Sequence, residues 1–150
     1  MENNLIKNVS PIFPIRTAAK LIGISIHTLR MYEREALIIP RKSIGNQRLY
    51  TFVDIERIVS IRKNMKELKL SINSIRMLLS MIPCYTIINC SKEDRKNCEA
   101  YHEVIKPCWD YEHKNNICAD IDCRECEVYN SNFNFTKARE TILKELQKEK

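Results

Sequence analysis

The stretch RTAAKLIGISIHTLRMYER, residues 16–34, restricts the possible folds of this chain more than any other. Ala18, Ala19, Leu21 and Ile22 share one side of a helix at helical spacing, and Gly23 then supplies a backbone that turns at low cost. Ser25 is a residue type that caps a following helix, which runs through Ile26 and Leu29 to Arg34. Ile26 and Leu29 point inward, leaving His27, Thr28, Arg30, Met31 and Tyr32 to face out near the helix start. Two short helices across a tight turn form a helix-turn-helix, whose second helix can enter a DNA major groove by its N-terminal end. The same pattern alone also describes an ordinary helical hairpin with a solvated basic face.

The residues around this stretch favour the first reading. Ahead of it, residues 1–12 read as a flexible arm leading into a short extended segment at Ile12–Ile15, interrupted by Pro11 and Pro14. Behind it, ALIIPRKSIGNQRLYT predicts a β-hairpin. One strand falls at Leu37–Ile39 and is stopped by Pro40, Ile44-Gly45-Asn46 turns, and Arg48–Tyr50 forms the second strand. Beside a helix-turn-helix such a hairpin is a wing, and Arg41, Lys42 and Arg48 suit it to phosphate contact. Thr51 with Asp54 then opens an amphipathic helix that buries Ile55, Ile58, Val59 and Ile61. Ser71 caps a further helix, buried along Ile72, Ile75, Leu78 and Leu79 and ended by Pro83.

Charge and cysteine content divide the chain near Pro83. Residues 1–83 carry 14 Lys/Arg against 6 Asp/Glu, whereas residues 84–150 carry 11 against 13. A basic front half is the electrostatic footprint of something that neutralises phosphates. All seven cysteines lie between Cys84 and Cys126. At 150 residues the chain accommodates two small modules. The predicted layout is an arm at 1–12, a winged helix-turn-helix DNA-binding domain at 13–83, a cysteine-rich domain at 84–130, and a C-terminal helix within 131–150. The expected class is mostly α, with the cysteine-rich module stabilised by a metal or cluster. No run of about 18 apolar residues is present to span a membrane. MENNLIKNV lacks the charged start and apolar block of a signal peptide, so a cytoplasmic protein is expected.

From Phe13 to Ile58 the sequence resembles the DNA-binding domain of the MerR family of transcription regulators. The matching residues are Ile15, Ala19, Gly23, Ser25, Thr28-Leu29-Arg30, Tyr32-Glu33, Leu37-Ile38, Pro40, Arg48, Tyr50 and Asp54-Ile55. The resemblance implies a winged helix-turn-helix that binds double-stranded DNA at a palindromic operator as a homodimer, with RNA polymerase as a further partner. It also implies that Arg30, Tyr32, Arg48 and Tyr50 stand where that family touches DNA. Residue type and position add Ser25, His27, Thr28 and Arg41 to the candidate contacts. Two departures matter. Met31 replaces the family's usual second tyrosine, and Pro83 with the cysteine-rich segment occupies the place of the long helix through which the family dimerises.

The cysteine-rich segment contains an internal repeat. Cys84-Tyr85, Cys90 and Cys98-x-x-Tyr101 correspond to Cys108-Trp109, Cys118 and Cys126-x-x-Tyr129, with Cys123 an addition that creates Cys123-x-x-Cys126. This resembles the small "two-CW" domain found at the ends of some bacterial signalling proteins, with Tyr85 in place of the first tryptophan. In a reducing compartment structural disulfides are disfavoured. Thiolate ligation of zinc or an iron–sulfur cluster is the leading reading of Cys84, Cys90, Cys98, Cys108, Cys118, Cys123 and Cys126, with a thiol/disulfide redox switch and inert thiols as alternatives. His102 and His113 are possible further ligands. The segment is short and polar, so a bound ion would also supply folding free energy.

Finally, TKARETILKELQKEK from Thr136 predicts a helix with Ile142, Leu143 and Leu146 on one side, a candidate dimer contact. These features lead to a transcription regulator whose cysteine-rich module senses metal, redox state or Fe–S occupancy. An architectural DNA-binding protein with a purely structural metal is the alternative. A thiol oxidoreductase using Cys123-x-x-Cys126 lacks the strand–motif–helix setting that such chemistry needs. No other catalytic constellation is visible, so an enzyme is not expected.

Overall fold

The computed structural model describes residues 10, 12–131 and 135–148, so the arm expected at 1–12 lies almost wholly outside the described residues. The chain forms two compact units, Met1–Leu68 and Lys69–Lys150.

In the first unit, strand β1 (Phe13–Pro14) leads directly into helix α1 (Ile15–Ile22), followed by α2 (Ile26–Arg34), β2 (Arg41–Lys42), β3 (Arg48–Tyr50) and α3 (Phe52–Leu68). The helix-turn-helix forms for the expected reasons. Gly23 adopts φ +78°, a left-handed conformation, and its N–H reaches the Ala19 and Lys20 carbonyls. The Ser25 hydroxyl accepts the Thr28 N–H at 3.0 Å and caps α2. At the start of α3, Thr51 and Asp54 cap each other: the Thr51 N–H donates to the Asp54 carboxylate at 2.7 Å, and the Asp54 N–H donates to the Thr51 hydroxyl at 3.1 Å.

The wing is shifted from its expected place. Its first strand is Arg41–Lys42 and not Leu37–Ile39, because Leu37 and Ile38 are at most 1% exposed and serve the core as unpaired chain. The sheet gains a third strand, in the order β1-β3-β2. Phe13 stands opposite Tyr50 and Arg41 opposite Leu49, both pairings antiparallel. The core gathers Ala18, Leu29, Leu37, Ile38, Tyr50, Ile58 and Ile61. Along α3, Arg57 is wholly buried while Val59 is exposed, so the inward stripe is rotated from the one that hydropathy suggests.

The second unit begins with α4 (Ile72–Ser80), capped by Ser71 through the Ser74 N–H at 3.1 Å. Ile75 and Leu79 are buried but Leu78 is exposed. Short helices follow: α5 (Cys84–Ile87), α6 (Lys92–Lys96), α7 (Glu99–His102) and α8 (Glu127–Ser131), with 3₁₀ turns at Cys108–Asp110, Ile117–Asp120 and Cys123–Glu125. The sequence repeat is a structural one. Tyr85 meets Tyr101 edge-on at 5.2 Å and 88°, and Trp109 meets Tyr129 at 5.2 Å and 86°. Arg76 pairs with Asp110 at 2.9 Å. The C-terminal helix α9 spans Phe135–Lys148, with Leu143 and Leu146 exposed. Among the described residues no single helix is long and apolar enough to cross a membrane.

Candidate functional site

In the first unit, an open groove of about 370 Å³ is lined by Ile15 and Arg16 of α1, Arg30 of α2, and Asn46, Gln47 and Arg48 of the wing. Three separate elements thus bring Arg16, Arg30 and Arg48 to one concave surface. The wing tip that carries it is built by local chemistry. The Ser43 N–H donates to the Gln47 carbonyl at 2.9 Å, the Ser43 hydroxyl accepts the Gln47 N–H at 3.1 Å, and Asn46 takes the left-handed φ of +60° that the turn requires.

One carboxylate ties α2 to the wing. Glu33, with its side chain only 10% exposed, accepts from Arg48 Nε at 2.6 Å and from the Tyr50 hydroxyl. Burial first, then this hydrogen bond, pushes the Tyr50 hydroxyl far above the ordinary tyrosine range.

The candidate contact residues separate into two kinds. His27 and Arg30 are exposed on α2, Thr28 is half-buried, and Ser25 is occupied in capping. Tyr32 and Tyr50 do not face out as expected; they are 5% and 0% exposed. Both rings belong to the core of the first unit, and burial raises the Tyr32 hydroxyl as well. Arg41 is half-buried near Asp54, away from the groove-lining set. Arg16 was missed by the sequence reading. Its position, one residue into α1 after Ile15, gives no hint that the fold brings it to Arg30 and Arg48.

In the second unit, all seven candidate cysteines line a single cavity of about 30 Å³, and all seven thiols are free. Tyr85, Tyr101, Arg95 and His113 complete much of its wall. The Arg95 guanidinium lies 5.2 Å from the Tyr85 ring centre and 5.8 Å from that of Tyr101. A hydrogen bond with Cys108 holds the Cys84 thiol below the ordinary thiol range. The Cys108 thiol is pushed far up by that same bond, by burial, and by the thiols of Cys84, Cys126 and Cys123 around it. Burial pushes Cys118 up to about 12, with Cys90 and Cys84 its nearest thiol neighbours, and also raises Cys90 and Cys123. As the side chains stand, the described residues include no group of three acidic, thiol or imidazole side chains arranged to hold an ion. His102 lies outside the cavity wall, its ring against Tyr101.

Residues 13–82 match the family model described as "MerR HTH family regulatory protein". The match ends before the first cysteine, Cys84. Over 72 residues the chain is 32% identical to the HTH-type transcriptional regulator GlnR of Bacillus anthracis, covering 48% of this chain and 55% of the relative. Over 56 residues it is 32% identical to the HTH-type transcriptional regulator TnrA of Bacillus subtilis, covering 37% and 51%. The chain thus spans about half the length of the curated relatives it matches. Residues 13–82 are thus similar to the MerR HTH family regulatory proteins, and within that stretch lie the capped helix pair and the wing.

Proposed function

We propose that this protein is a DNA-binding transcription regulator in which the first unit reads duplex DNA and the second is its input module. The observation that carries the reading is the groove in which α1, α2 and the wing present Arg16, Arg30 and Arg48 together. Guanidinium groups on a concave surface beside an exposed helix start are what phosphate contact and major-groove readout require. His27 and Thr28 stand on the same exposed start of α2. The likeness to regulators such as GlnR and TnrA supports the same reading. A palindromic operator, a homodimer and contact with RNA polymerase extend it along the lines of the family. The thiol-lined cavity supports an input based on thiolate ligation of a metal or cluster.

The test is selection of bound sequences from random duplexes by the full-length protein, followed by affinity measurements across salt concentrations. Arg30→Ala and Arg16→Ala are each expected to weaken binding by about 1–3 kcal/mol. A substitution that removes a phosphate contact lowers the salt slope by about one, whereas one that removes a base contact relaxes sequence preference. Failure to enrich any sequence, or unchanged affinity in both variants, would overturn the assignment.

A further inference from the structure

His113 stands outside the repeated cysteine pattern, and its surroundings select one tautomer of the neutral ring. Its Nε2 lies 2.9 Å from the Cys108 carbonyl oxygen, which can only accept, so Nε2 carries the proton. In the neutral ring Nδ1 then holds the lone pair, and Nδ1 faces the Cys98 Sγ at 4.0 Å. A ring N–H given to a backbone carbonyl is the arrangement that orients a metal-ligating histidine. Zinc bonds of about 2.0–2.1 Å to nitrogen and about 2.3 Å to sulfur, at a tetrahedral angle, put the two ligand atoms about 3.6 Å apart. The Cys98–His113 pair is already close to that spacing.

One set gathers round Cys108, which contacts Cys84 and has Cys126 and Cys123 as further thiol neighbours. Cys90, Cys98 and Cys118 remain: Cys118 has Cys90, Cys84, Cys126 and Cys98 as thiol neighbours, and Cys90 has Cys84 and Cys98. With Cys84 and Cys126 beside both groups, the two share one cavity. Seven thiols and one imidazole make eight donors, which is two tetrahedral sets.

We infer that the cavity is a two-ion zinc centre. His113 Nδ1 with Cys90, Cys98 and Cys118 holds one ion, and Cys84, Cys108, Cys123 and Cys126 hold the other. Cys₃His and Cys₄ are the ligand sets of structural zinc. The seven thiols and the His113 ring line the same cavity, so the ions are reached by rotating thiols inward. Each thiol that ligates gives its proton to solvent. The inference rests on the reading of the second unit as a ligating module and makes it specific.

The test uses full-length protein purified without oxygen. Elemental analysis and mass spectrometry under non-denaturing conditions should give two zinc ions per chain. His113→Ala should leave one. His113→Cys should keep two and, after exchange of zinc for cobalt(II), shift the visible bands toward those of an all-sulfur site. That second variant decides the matter even if His113→Ala does not fold. Iron with inorganic sulfide would overturn the zinc assignment while leaving thiolate ligation standing. A single zinc, or a cobalt spectrum indifferent to His113→Cys, would overturn the two-set partition. Protein without metal and with seven reactive thiols would overturn both this centre and the ligating module. None of these results bears on DNA binding by the first unit.

Discussion

The two units meet the same requirement, a buried interior, with different materials. The first encloses aliphatic and aromatic side chains, with Leu29, Leu37, Tyr50 and Ile58 wholly buried on four different segments. The second has short helices and three 3₁₀ turns; it buries Ile75, Leu79, Trp109, Val128 and Tyr129, and beside them seven half-buried cysteines line one cavity. Hydrophobic burial is non-directional and graded by area, so a unit built on it tolerates change by degrees. Coordination is directional and nearly all-or-none, so a unit built on it is present or absent with its ligands. Under the proposed function, the difference would suit a reader that must keep one shape and an input module that must respond.

The largest effect expected from this contrast is on metal removal. A strong chelator added to the full-length protein should abolish hydrogen-exchange protection across residues 84–130 and leave it in residues 13–68. Protection that survives in both units would break the comparison. Next in size is Leu29→Ala. With Leu29 0% exposed, the truncation should cost the first unit about 2–5 kcal/mol and leave exchange in the second unchanged. A loss of stability spread evenly over both units would show that they melt as one.

The smallest effect compares two capping boxes of the same design. Asp54, paired with Thr51, is 6% exposed, and burial raises its carboxyl above the usual range despite the hydrogen bonds that favour its charge. Asp94, paired with Ser91 and open to solvent, is held below that range by the Ser91 hydrogen bonds. The signs are therefore opposite. The Asp54 contribution is full below the unfolded carboxylate value of about 3.9 and is lost as pH rises through its raised value. The Asp94 contribution is full above about 3.9 and is lost as pH falls through its lowered value. Between mild acid and neutrality, Asp54→Asn should remove a stability loss on raising pH in the first unit. In stronger acid, Asp94→Asn should remove a loss on lowering pH in the second. Melting followed unit by unit over pH would show these opposed slopes; matching slopes would refute the assignment of cause.

Local chemistry was the legible part of the fold. Gly23, Ser25, Thr51 with Asp54, and Ser71 each act within four residues of themselves, and each does what its type predicts. The cysteine repeat was legible too, and its aromatic pairs reproduce it in space. Features joined across long separations were not. Leu37 and Ile38 have strand composition, yet β-propensity reports packing on a half-buried surface as much as ladder pairing, and here they take only the packing. The pairing of Phe13 with Tyr50 rests on strands of two and three residues, too short to register as a pattern. At the candidate site, Arg30 was readable from its place on a capped helix, while Arg16 becomes visible only once α1 meets the wing. His113 was readable as a possible ligand from its type, but its orientation by the backbone carbonyl of Cys108 has no sequence signature. Tyr32 was read as outward from its place on the helix, and Tyr50 as a DNA contact from the family resemblance alone; neither signal reports the burial that both rings show.

The Glu33 carboxylate, shared between Arg48 and Tyr50, acts as a spacer. It holds the last turn of α2 to the wing, so on a duplex bound as proposed the footprints of helix and wing would fall at a set separation. A rigid gauge of this kind cannot stretch to an ill-fitting site; the duplex must bend or twist to meet it. The cost of that deformation depends on the base steps between the footprints. Sequence preference would then extend to base pairs that neither element touches, and loosening the gauge with Glu33→Gln would be seen first at those positions.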